Sequence, residues 1–111
     1  FENGENQRPW LVVESELDAA LVAQEAGDLV SVSALGSAQI KPHAALHAAL
    51  ADAGRVLVAL DADAAGAKAA RWWLQTYGRA VRWPVPSGKD PGDYHAQGGS
   101  IRSWVEAGLR G

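Results

Sequence analysis

Four short apolar runs, each separated from the next by a stretch of helical spacing, constrain this chain more than any other feature. WLVVE (10–14), LVSVS (29–33), RVLVALD (55–61) and RAVRWPV (79–85) read as strands, the third most clearly. Between them, ELDAALVAQEA (16–26) places apolar residues at Leu17, Ala20, Leu21 and Ala23 and is followed by Gly27. HAALHAALADA (43–53) sets Leu46 and Leu50 four apart, with Pro42 just before it and Gly54 after it. AAGAKAARWWLQTY (64–77) is followed by Gly78. Apolar strands alternating with helices predict an α/β fold, a mainly parallel sheet of about four strands with helices on both faces. Beyond residue 85 the pattern weakens: SGKDPGDYHAQGG is rich in turn residues, and SIRSWVEAGL reads as a short last helix capped by Ser100.

A length of 111 residues suits a single domain, expected over 10–111, with the polar residues 1–9 as a flexible lead-in. The chain begins with Phe1 and has no Met, so it is expected to be a piece of a longer protein. With no Cys, it has no disulfide scaffold, no zinc ribbon and no thiol nucleophile. No apolar run is long enough to span a membrane, and a cytoplasmic location is expected. The net charge of −3 is unusual for a free-standing nucleic-acid binder, so any grip on nucleic acid needs bound cations or other parts of the protein.

In open parallel sheets, ligands gather at the carboxyl ends of the strands. The first strand ends in Glu14; the third ends in Asp61, followed by Ala62 and Asp63. In extended chain, residues i and i+2 point the same way, so Asp61 and Asp63 can aim at one point. If the first and third strands are neighbours, Glu14 joins them, and three carboxylates repel one another unless a cation lies between. Oxygen ligands favour Mg²⁺ or Mn²⁺ over zinc. The plainer alternative is that strands simply end in water, with Asp63 as the N-cap of the helix from Ala64.

These residues resemble a known family. VVESELDAALVA resembles the first motif of Toprim domains, in which a Glu ends the first strand and an Asp follows in the next helix. LDADAAGAKAA is similar to their Asp-x-Asp motif with the Ala-Gly step of bacterial-type and phage or plasmid primases, and ALGSAQIKPH to the short Gly-containing loop between. VPSGKDPGDY resembles the segment after the fourth strand in primase Toprims. The resemblance spans roughly residues 10–97. It implies a three-layer, Rossmann-like Toprim fold and divalent-metal chemistry on phosphodiesters, nearest to the Toprim domain of a DNA primase or primase–helicase. Glu14, Asp61 and Asp63 then take the catalytic and metal-binding places, and Asp18 a supporting one. Ser15 stands where the family usually has Gly. The implied activity is nucleotidyl transfer in RNA primer synthesis for DNA replication. The implied partners are a single-stranded DNA template, nucleoside triphosphates and a helicase domain or subunit, engaged through the full-length protein, with little primer made by this fragment alone. A Toprim-type nuclease and a non-catalytic partner-binding module are the alternatives.

Further positions carry functional or structural readings. Gly66 allows either a close phosphate at the helix start or tight helix–sheet packing. Gly36 is expected to adopt unusual backbone angles in a turn. Lys89 can touch phosphate, and Asp90 can hold a second metal or serve as an N-cap ahead of Pro91, with Asp93 in the first turn. His43 and His47 have zinc-pair spacing but no third ligand, which favours a solvated helix face. Trp10 and Trp73 are expected in the core; Trp72, Trp83 and Trp104 pack or stack on bases. Lys68, Arg71, Arg79 and Arg82 border a nucleic-acid channel or line a solvated edge.

Overall fold

The computed structural model describes residues 8–110; most of the lead-in expected over 1–9 lies outside the described residues. Strands β1 (Trp10–Val13), β2 (Ser31–Ala34), β3 (Val56–Val58) and β4 (Ala80–Arg82) form one sheet of order β2-β1-β3-β4, and all three pairings are parallel. The helices are α1 (Glu16–Ala26), α2 (Ala44–Ala51), α3 (Ala64–Thr76), α4 (Pro91–Ala96) and α5 (Ile101–Arg110). The expected α/β architecture is therefore present. Two differences are that β2 begins two residues later than the apolar run and that the turn-rich segment contains α4.

Side-chain parity divides the core into two layers. Leu11, Val13, Leu57 and Ala59 face Val22 and Ala26 of α1 and Ile101, Trp104 and Val105 of α5. Val12, Val56, Val58 and Leu60 face Leu46 and Leu50 of α2 and Ala70 and Trp73 of α3. The central strands are thus apolar on both sides, which is why they read as unbroken runs rather than alternating ones. Each buried Val, Leu or Ile among them contributes about 1.5–3 kcal/mol on burial. From β1 the chain runs outward in one direction through α1 and in the other through α2 and α3. Right-handed crossovers then require α1 to lie on the opposite face from the other two, as it does.

The buried stripe of α1 differs from the expected one. Leu17 is 84% exposed, and the inward residues are Asp18, Val22 and Ala26, spaced by four. Two indoles fasten α5 to the end of β4: Trp83 Nε1 donates to the Trp104 carbonyl (2.9 Å), and Trp104 Nε1 donates to the Pro84 carbonyl (3.1 Å). Among the described residues no helix is long and apolar enough to cross a membrane.

Candidate functional site

The strand order reverses its winding between β1 and β3, and the loops leaving these two strands part toward opposite faces. Such a switch point opens a crevice at the carboxyl ends of the strands. Glu14 follows β1 directly, and its position is fixed at both ends. The Gly36 N–H donates to the Glu14 carbonyl (2.7 Å), prolonging the β1–β2 ladder beyond the Leu35 N–H to Val13 carbonyl bond (3.0 Å). The Glu14 side chain reaches across the crevice, where Oε2 accepts from the Asp61 N–H (2.8 Å). Gly36 has φ +91°, a left-handed conformation that favours glycine, so the expected special turn is real.

Asp61 and Asp63 converge by a different route from the one expected. The β3 ladder ends at Ala59, whose N–H donates to the Val12 carbonyl, so the two acids are not in extended strand. A tight turn, closed by the Asp63 N–H on the Asp61 carbonyl (2.8 Å), brings them round instead. Asp63 Oδ1 caps α3 by accepting from the Gly66 N–H (2.7 Å). Its Oδ2 lies 3.7 Å from Lys89 Nζ, which is also 3.8 Å from Asp61 Oδ2. The N-cap expected of Asp63 is therefore present in one oxygen, while the other faces Lys89 beside Asp61. A Cβ on Gly66 would overlap the Asp61 carbonyl oxygen, and its N–H is engaged by Asp63. Tight packing therefore accounts for Gly66.

The segment after β4 completes the rim. The Ala62 N–H donates to the Lys89 carbonyl (2.8 Å), so Lys89 is held by its backbone as well as its ammonium. Asp90 is the N-cap of α4, accepting from the Asp93 N–H (2.9 Å), with Pro91 in the first turn. Asp18 is only 6% exposed, and its Oδ1 accepts from the Gly92 N–H (3.0 Å), tying the first motif to α4 across 74 residues. Burial raises the Asp18 carboxyl above its ordinary value. Hydrogen bonding to Ser15 and Gly92 opposes this, and Asp90 and Asp93 add to it. Asp18 shares its helix face with Val22 and Ala26, and its buried carboxylate finds its donor in the Gly92 N–H. Ser15 replaces the family's Gly without strain, because it is extended (φ −104°, ψ 152°) and its Oγ caps α1 by accepting from the Asp18 N–H (3.1 Å).

The electrostatics favour a bound cation. Asp61 is pushed up to about 6, chiefly by burial, then by the charges of Glu14 and Asp90. Lys89 opposes the shift, and Asp63 adds a little to it. One ammonium thus leaves the cluster under-neutralised, and every donor is a carboxylate oxygen, the type a hard divalent ion takes. In donor chemistry and charge the residues fit Mg²⁺ or Mn²⁺. The described residues nevertheless hold no ready-made group of three metal-binding side chains. Glu14 is turned to the Asp61 amide, and the Asp61–Asp63 pair shares Lys89.

The other candidates lie elsewhere. His43 Nδ1 caps α2 by accepting from the Leu46 N–H (3.3 Å), while the His47 ring is hydrogen-bonded to the Tyr77 hydroxyl (2.8 Å), so the two rings do not pair. Trp73 and Trp104 are buried, Trp10, Trp72 and Trp83 partly so. A cavity of about 390 Å³ opens at the amino ends of the strands, among His47, Tyr77 and Arg79, with no rim acid in its lining.

A family model described as Toprim-like matches residues 11–95. Among solved structures, the primase fragment of the bacteriophage T7 primase–helicase protein superposes with a TM-score of 0.71 at 20% identity, covering 91% of this chain and 43% of that one. The bacteriophage T7 complex of lagging-strand DNA polymerase with primase domains bound to an RNA/DNA hybrid and dTTP gives 0.64 at 21% identity, covering 90% of this chain and 53% of the matched one. At these identities the likeness establishes the fold, and the chain spans about half of each matched chain or less. A search of curated proteins finds no match.

Proposed function

This chain belongs to the Toprim-like family, and from that premise we propose that residues 10–111 form the metal-binding catalytic domain of a DNA primase. The reaction is nucleotidyl transfer in RNA primer synthesis. Its partners are a single-stranded DNA template, nucleoside triphosphates and a helicase domain or subunit, all engaged through the longer protein. The observation that carries the reading is the Glu14 carboxylate on the Asp61 amide at 2.8 Å, which sets the first-motif acid against the Asp-x-Asp pair at the switch point. The fold shared with phage primase structures supports it.

In this reading Asp61 and Asp63 hold Mg²⁺ or Mn²⁺, with Glu14 as the third acid or as a base. The bound ion would neutralise charge on the attacking and leaving oxygens of the phosphoryl group. Gly36 and the Asp61 amide keep Glu14 in place. Lys89 supplies counter-charge beside the pair, free to turn toward a phosphate. Asp18 holds the start of α4, and with it Asp90, against the rim.

The test is primer synthesis by the protein that carries this chain, with template, nucleoside triphosphates and Mg²⁺. Template-dependent incorporation is expected, and its loss in Glu14→Gln, Asp61→Asn and Asp63→Asn. Template cleavage without incorporation would replace the primase with a Toprim nuclease, the second reading that the same acids permit.

A further inference from the structure

We propose that the groove between α3 and the loop joining β2 to α2 binds single-stranded nucleic acid, with Trp72 as a stacking platform and Lys41 and Lys68 as phosphate contacts. The groove has a volume of about 320 Å³ and is lined by Gln39, Lys41, Ala65, Lys68, Ala69 and Trp72. That lining has two ammonium groups and no carboxylate, in a chain whose net charge is −3. The occupant that suits it is anionic and carries flat rings. A single strand presents both, whereas an acidic peptide presents only charge.

Trp72 is built as a platform. Trp73 and Tyr77, both buried, meet it edge-on at 5.5 and 6.0 Å between ring centroids, with interplanar angles of 86° and 82°. These contacts fix the indole plane. Lys41 Nζ lies over the ring, 5.0 Å from its centroid. The face it covers is the one a base would use. Lys41 is exposed, and a stacked base outcompetes an exposed cation on such a face, so the ammonium can swing outward to the phosphate of the nucleotide that displaces it.

The groove also leads to the acids. Its walls are the two segments that organise the rim: the loop that begins with Gly36, bonded to Glu14, and the helix capped by Asp63. Trp72 lies nine residues beyond Asp63, about 14 Å along the helix axis, with Lys68 between them. A strand stacked on Trp72 therefore runs past Lys68 toward the Asp-x-Asp turn. This deepens the primase reading, on which it rests for its biological role.

The test is fluorescence anisotropy of a labelled short oligothymidylate with the full chain, in EDTA and at low salt, so that the metal site takes no part. The wild-type chain binds, and Trp72→Leu weakens binding about 10-fold, in the range of one lost stacking contact. Lys41→Ala with Lys68→Ala, both exposed and no threat to folding, flattens the log K against log salt slope by about 1.4, two phosphates at about 0.7 each for a single strand. A blunt duplex of the same length does not feel the Trp72 change. Absence of oligothymidylate binding by the wild type, or wild-type affinity and slope in the variants, overturns the proposal. Displacement of the oligomer by poly-glutamate at equal charge does so too, and points to an acidic protein partner. Because no metal is present, such a failure leaves the primase reading standing, and loss of primer synthesis in the acid variants would leave this one measurable.

Discussion

The acid rim at the carboxyl ends of the strands and the indole latch at the end of β4 are built on opposite terms. In the latch, Trp83 and Trp104 each give an indole N–H to a backbone carbonyl, and Trp104 is buried against α1 and the sheet, so packing and hydrogen bonding agree. At the rim, Glu14, Asp61, Asp63 and Asp90 crowd together with Lys89 as close counter-charge, and Asp61 sits far above the usual carboxylate range. The latch stabilises the domain; the rim is held in place by the rest of the fold against its own repulsion. Such a division is what the proposed metal site would produce.

The sharpest way to break this contrast is at the latch. Trp104→Ala removes a buried indole and one hydrogen bond and is expected to cost about 3–5 kcal/mol in urea unfolding. Mg²⁺ affinity of the folded fraction should not change; a parallel loss would mean the two regions are not independent. Gly66→Ala forces a methyl onto the Asp61 carbonyl, with an expected cost of about 1–3 kcal/mol and weaker Mg²⁺ binding, measured by calorimetry. Asp18→Ala leaves the Gly92 N–H without its acceptor, costing about 1 kcal/mol and loosening α4, visible as faster amide exchange at Gly92 and Asp93.

The smallest effect has the opposite sign. Asp61 binds its proton more tightly folded (about 6) than unfolded (3.8). It therefore favours the folded state least once pH has risen past 6, and wild-type stability falls through that window. Asp61→Asn escapes the penalty. In metal-free buffer it should gain on the order of 1 kcal/mol or more at neutral pH, with the gain shrinking as pH falls below 6 and gone once pH is below 3.8, where the wild-type carboxyl is protonated in both states.

The contrast also explains what could be read from the residues alone. Periodicity located every strand of the sheet, most sharply β1 and β3, because a doubly covered strand must be continuously apolar. The face of α1 differs for a physical reason: its alanines are spread around the helix and mark no side, so Leu17 is expected on the apolar stripe although it is exposed, while Asp18, expected only in a supporting place, is buried. Glu14 and Asp61 were expected to meet if β1 and β3 were neighbours, and they are. The turn that aims Asp63, the reach of Lys89 across 26 or more residues to both acids, and the Asp18–Gly92 link are contacts between distant segments, which spacing along a chain does not encode. The groove at Trp72 escaped for the same reason: Lys41 joins that tryptophan only once the loop after β2 lies against α3.

The central claim is that the rim acids hold a divalent cation. Mn²⁺ added in small amounts to the ¹⁵N-labelled chain tests it most directly, because the ion's unpaired electrons broaden nearby amide signals. The account predicts early loss of the Glu14, Gly36, Asp61, Asp63 and Lys89 amides while amides at the amino ends of the strands, at Arg55 and Arg79, stay sharp. Broadening centred on His47 or Asp28, or none at millimolar Mn²⁺, would contradict it.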